Sequence, residues 1–214
     1  MPSTQVVGGA DALGLANWIQ NQFSGTTYQP NAMDVQHEPL YDRSWNPATN
    51  AVWAAGATVT NLTQFFTTGN QTGKTLADTN VQTAKRLDAP QAFAAMGIGL
   101  WFAANTLLAD LNTMIASFAL EFWIGEKSYN RAPLIFYPVG GGVTGFSSAS
   151  TALTSGMPGK NHRHELGINI VIDNQASFYC QLVGTSVTLT TTSGGGTGLN
   201  MQVILDGLHA RGVQ

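Results

Sequence analysis

His162 and His164 stand one residue apart in the segment KNHRHEL, residues 160–166, with Arg163 between them and Glu165 beside the second. In an extended strand, residues two apart point to one face, so these imidazoles can converge on a single metal ion. His209 is the one later histidine able to join them. Such a set would make the chain a metalloprotein or an enzyme.

Cupins hold a metal inside a jelly-roll barrel, and Gly156 followed after five residues by His162-Arg163-His164 reproduces the opening of their first motif. The spacing then fails. That motif needs a glutamate four or five residues after the second histidine, where this chain has Ile168 and Asn169. Glu165, adjacent in sequence, points to the opposite face of a strand. No proline follows Pro158, as the second motif would require. Residues 160–166 therefore read as a charged loop at a strand entry or a subunit contact, with no metal and no cofactor. Clustered histidines beside Glu165 would still change charge near about pH 6. Other motifs are weaker. GGGVTG at 140–145 has dinucleotide-loop spacing but no βαβ unit around it. GFSSA at 145–149 lacks the second glycine of a serine-hydrolase elbow. Cys180 alternates with apolar residues and reads as a buried structural thiol. No catalytic constellation emerges.

The 214 residues are 43% hydrophobic but only 10% charged, against roughly a quarter in an average soluble domain. Short neutral polar side chains supply the rest, and such a surface costs less to desolvate against other subunits. A net charge of -3 with scattered basic residues gives no electrostatic case for nucleic acid. One cysteine excludes an internal disulfide. The start, MPSTQVVGGADALG, lacks the pattern of a signal peptide, so the expectation is a chain made in a cytoplasm and not secreted.

Two regions are expected. Residues 1–56 read as an N-terminal arm. Its DALGLANWIQNQF segment has helical apolar spacing, and a Pro-punctuated stretch follows with spaced anchors. The anchors expected to touch a neighbour are Trp18, Phe23, Tyr28, Tyr41 and Trp45. From residue 57 the period switches to two. SFALEFWI aligns Phe118, Leu120, Phe122 and Ile124; LGINIVI aligns Leu166, Ile168, Ile170 and Ile172. SFYCQLV aligns Phe178, Cys180 and Leu182, and LNMQVIL aligns Leu199, Met201, Val203 and Leu205. Further strands are predicted in ATVTNLTQFF, FAAMGIGLWF, PLIFYPV and SVTLTTT, with a short amphipathic helix in NTLLADLNTMIA. About eight antiparallel strands with one or two short helices predict an all-β jelly-roll sandwich or barrel over 57–214. Two other readings stay open: a cupin-like metal-binding protein or enzyme on His162, His164 and His209, and a carbohydrate-binding sandwich with Trp45, Trp53, Trp101 and Trp123 as sugar platforms.

The phrases TGKTLADTNVQTAKRLDAPQAFAAMGIGLWF and LEFWIGEKSYNRAPLIFYPVGGG, and the ending VILDGLHARGVQ, resemble jelly-roll capsid proteins of tailless icosahedral bacterial viruses. The resemblance covers about residues 63–214 and leaves the arm uncovered. It implies a virion subunit that self-assembles into capsomers of an icosahedral shell. Other capsid proteins and an inner viral membrane fall within its range of partners; catalytic residues do not. Within that frame His162, Arg163, His164 and Glu165 join the arm's aromatics as assembly contacts.

Overall fold

The computed structural model of the chain describes residues 19–21, 23, 33–67, 69, 73–103, 105–137, 143–146, 153–155 and 163–212. The first strands are β1 (Met33–His37), β2 (Leu40–Arg43), β3 (Thr58–Val59), β4 (Thr63–Phe65) and β5 (Ala92–Phe102). Helix α1 (Leu108–Ser117) leads into β6 (Phe118–Ile124) and β7 (Lys127–Pro133), which ends in a 3-10 turn, Leu134–Phe136. Then come β8 (Val143–Phe146), β9 (Leu153–Ser155), β10 (His164–Ile172), β11 (Phe178–Gly184), β12 (Val187–Thr188) and β13 (Met201–Gly212).

Two sheets carry the fold. One has the order β1-β13-β5-β10, with β2 also paired to β13; the other has the order β4-β11-β6-β7. All their pairings are antiparallel. Taking β1 and β2 as one interrupted strand leaves eight principal strands. The first, eighth, third and sixth then form one sheet, and the second, seventh, fourth and fifth the other. This is the jelly-roll order, an all-β double sheet in which every connection between successive principal strands crosses layers except the β6–β7 hairpin.

Alternation explains the core. On β6, Phe118, Leu120 and Phe122 face inward and are buried; on β11, beside it in the same sheet, Phe178, Cys180 and Leu182 face the same way. From the opposite sheet come Phe93, Ile98 and Leu100 of β5 and Met201, Val203 and Leu205 of β13. Fully burying a side chain of this size is worth about 1.5–3 kcal/mol, so this layer dominates stability. Helix α1 drops Leu111 and Met114 into the same core. Its buried Asp110 accepts hydrogen bonds from the Thr190 amide (3.0 Å) and hydroxyl (2.7 Å), tying the helix to the segment after β12. On β13, Gly207 passes so close to β5 that a β-carbon there would stand 2.0 Å from the Ala94 carbonyl oxygen.

Four expectations change. Residues 33–56 do not belong to an arm: β1 and β2 hydrogen-bond to β13 as part of the first sheet. Their polar residues and Pro39 conceal strands whose inward positions are few. ATVTNLTQFF is split into β3 and β4 by a turn in which Leu62 has φ 65°. In PLIFYPV the strand gives way to the 3-10 turn, so Ile135 and Phe136 lie outside and only Leu134 of that turn is buried. The alternation Leu166–Ile172 breaks because β10 advances five residues, Glu165 to Ile170, while β5 advances two, Gly97 to Ala95. This bulge turns Ile168 outward, 85% exposed, while Ile170 and Ile172 remain buried. Denaturant titration should show Phe122→Ala losing about 3–5 kcal/mol, and Ile168→Ala changing stability by less than about 0.5 kcal/mol.

Candidate assembly surface

Among the described residues, the space between the sheets is filled by apolar side chains. Among the described residues no group of three His, Cys, Asp or Glu could hold a metal ion. The clefts near described residues open at the surface; the one beside Trp45, about 240 Å³, is lined by Asn50, Thr60, Leu62 and Gln64 among others.

Lys160, Asn161 and His162 lie outside the described residues, but Arg163 and His164 have defined contacts. Arg163 crosses the outer face of β5 above Gly97, where a β-carbon would stand 2.6 Å from its Cδ. Its guanidinium pairs with Asp206 of β13. His37 of β1 meets the other oxygen of the same carboxylate at 2.7 Å. Arg163 therefore pins the entry of β10 to the sheet. His164, opposite Ile98 on β5, packs its ring 4.4 Å from Phe136 and 5.9 Å from Tyr137. Glu165 is exposed. His209 sits opposite Phe93, five positions along β5 from Ile98, or about 17 Å at strand rise. His164 and His209 thus cannot share an ion. His209 instead bonds Glu38 through Nδ1 at 3.2 Å.

The arm's expected anchors divide. Trp18 and Tyr28 lie outside the described residues. Phe23 is not an outward anchor: it is 2% exposed, packed with Ile19 against Met33, Ala92, Ala94 and Ala210 on its own sheet. Alanines at 92, 94 and 210 leave the room that the larger side chains fill. Tyr41 is half-buried and donates its hydroxyl to the Leu76 carbonyl at 2.6 Å. Trp45 is half-buried beneath the Lys74 ammonium, 5.5 Å from its ring. The tryptophans do not form open platforms. Trp53 is 4% exposed, Arg43 covers Trp101, and Trp123 stacks on Tyr179 at 6.2 Å.

Of the seven exposed large apolar residues among those described, Val52, Leu62 and Leu76 lie apart, and the other four lie where the two sheets end. Tyr129 of β7, Ile135 and Phe136 of the following turn and Ile168 of β10 are exposed, with Ile135 at 76% and Phe136 at 52%. β7 and β10 are the last strands of their sheets among the described residues, and the Phe136–His164 contact joins the two ends. β7 also carries Lys127, Arg131 and Pro133, which oppose strand addition by a foreign edge. Contact there must run through side chains. This strip was not read from the sequence. The only signal was an apolar run, PLIFYPV, too irregular for a regular strand.

Across the outer face of the second sheet, Gln64, Gln181, Glu121 and Arg131 fall in one line over four strands. Glu121 accepts from Gln181 (2.8 Å), the Trp123 indole (2.7 Å) and Arg131 (2.5 Å). Burial pushes its pKa up, but these donors together outweigh burial and hold the carboxyl below its ordinary value. The row is bonded within the chain and ties its four strands together.

No protein-family model matches the chain, and no curated protein or solved structure matches it. The reading of function therefore rests on the fold and its surfaces.

His209 gives a pH test. Burial lowers its pKa, with Arg211 acting in the same sense and Glu38 opposing. The unfolded chain therefore binds a proton more readily, and stability is fully present above the unfolded pKa of about 6.5 and declines as pH falls below it. Denaturant midpoints between pH 7.5 and 5 should fall less steeply in His209→Gln than in the native chain. Parallel curves would refute this role for His209.

Proposed function

We propose that this protein is a structural shell subunit that self-assembles, and that its setting is the virion of a tailless icosahedral bacterial virus. The observation that carries the reading is the jelly-roll order around a solid interior. Four of the seven exposed large apolar residues among those described lie on the edge formed by β7, the following turn and β10. Jelly-rolls serve capsids, lectins and cupins alike, so the surfaces must decide between them. The covered tryptophans do not favour sugar stacking, and the separation of His164 from His209 does not favour a shared metal.

Low charge supports the same reading. With 10% charged residues, little desolvation of ions opposes subunit contact. Each contact can be modest, because a closed shell joins many of them and gains avidity from their number. The partner on the β7–β10 edge is another copy of this chain. Ile135 and Ile168 supply its apolar centre, and Glu165 and Arg131 its charged surroundings.

The test separates folding from assembly. Ile135→Asp and Ile168→Asp, alone and together, should shift the protein from large particles to monomers in light scattering and sedimentation. Their denaturation midpoints should stay within about 0.5 kcal/mol of the native chain, because both positions are exposed. Unaltered assembly in the double variant would remove this edge from the account.

A further inference from the structure

We propose that Lys74 and Asp42 are a self-reacting pair that joins into an intramolecular isopeptide bond, Nζ to Cγ, with loss of one water. Lys74 Nζ lies 2.6 Å from Asp42 Oδ1, and the two side chains are 1% and 0% exposed. A nucleophile held in hydrogen-bond contact with a carboxyl, and shielded from water, starts from the geometry that intramolecular condensation needs. Asp42 sits on β2 opposite Val203, a core residue of β13, so the pair dips into the edge of the apolar interior.

The surroundings suit the amide better than two ions. A buried ion pair carries a desolvation penalty that its own attraction often fails to recover. An amide removes both charges, and its two polar groups already have partners. Lys74 Nζ donates to the Arg43 carbonyl at 3.0 Å, which would accept the amide N–H. The Phe66 backbone N–H donates to Asp42 Oδ2 at 2.6 Å, where the amide carbonyl oxygen would remain. Phe66 adopts φ 65°, a left-handed conformation uncommon for a residue with a side chain, and one that persists only when the surroundings fix it. The Trp45 ring screens the ammonium from one side. Asp78 fixes the neighbouring chain, accepting from the Thr75 amide (2.8 Å) and hydroxyl (2.7 Å) while pairing with Arg43.

The step balances without a co-reactant. Proton transfer from Lys74 to Asp42 gives an amine and a carboxylic acid. The Nζ lone pair attacks Cγ, and the developing negative charge on Oδ2 is met by the Phe66 N–H. The Cγ–Oδ1 bond breaks, Oδ1 leaves as water with a proton from nitrogen, and the C–N bond remains. Burial raises the pKa of Asp42 despite the lowering effects of Lys74, Phe66 and Thr79, which keeps the acid form within reach.

Intact-mass spectrometry of the purified chain under denaturing conditions tests this directly. The expected mass is one water below that of the sequence, and fragmentation of the digest should show a branched peptide joining Lys74 to Asp42. Lys74→Met, which cannot form the bond, should return to its full sequence mass. A native chain at full sequence mass after prolonged incubation in the folded state would overturn the proposal. So would a water loss that persists in Lys74→Met, because a cyclised aspartate such as that of Asp206-Gly207 would produce it.

Discussion

The pairing of β5 with β13 holds the architecture together. β13 is the last of the described strands in sequence, yet it lies between β1 and β5 and carries β2 as well. Its inward residues Met201, Val203 and Leu205 complete the core that β6 and β11 face from the other layer. The first sheet cannot close until the end of the chain has been placed. Such non-local pairing makes closure slow for topological reasons. It also means that both termini of the jelly-roll depend on one strand pair, whose close approach requires Gly207.

That constraint organises the surface too. With β13 and β5 central, β10 is driven to the margin of its sheet, and β7 to the margin of the other. The bulge in β10 and the 3-10 turn after β7 then project Ile168, Ile135 and Phe136 away from the core. Arg163 and His164 fasten this margin from beneath, one through Asp206 and one through Phe136 and Tyr137. Arg163 and His164 work as a fastening for the edge, and the place of His209 on β13, opposite Phe93, keeps it from sharing an ion with His164. Buried polar groups elsewhere hold the sandwich in register, with Glu121 joining β11, β6 and β7 and Asp110 locking the helix.

Strands with one clean apolar face were legible because burial alone sets their period. Phe118, Leu120 and Phe122, and Phe178, Cys180 and Leu182, fall where alternation places them. The helix was equally plain from Leu111 and Met114. What stayed hidden depends on partners distant in sequence. β7, KSYNRAP, is a polar edge strand whose pairing comes from β6 rather than from its own apolar content. β1 and β2 owe their existence to β13. Ile168 reads as core because periodicity carries no sign of three surplus residues in β10. Arg163 and His164 were legible as a charged segment at a strand entry, but Asp206 and Phe136, their partners, were not. Phe23 reads as an outward anchor because an amphipathic face looks the same whether it covers its own sheet or a neighbour's.

The central claim is that this jelly-roll is built to associate with copies of itself. Electron microscopy of the purified chain over a range of concentrations tests it most directly. The account predicts rings, sheets or closed shells with a repeating unit the size of one domain. A monodisperse field of single domains at every concentration would contradict it.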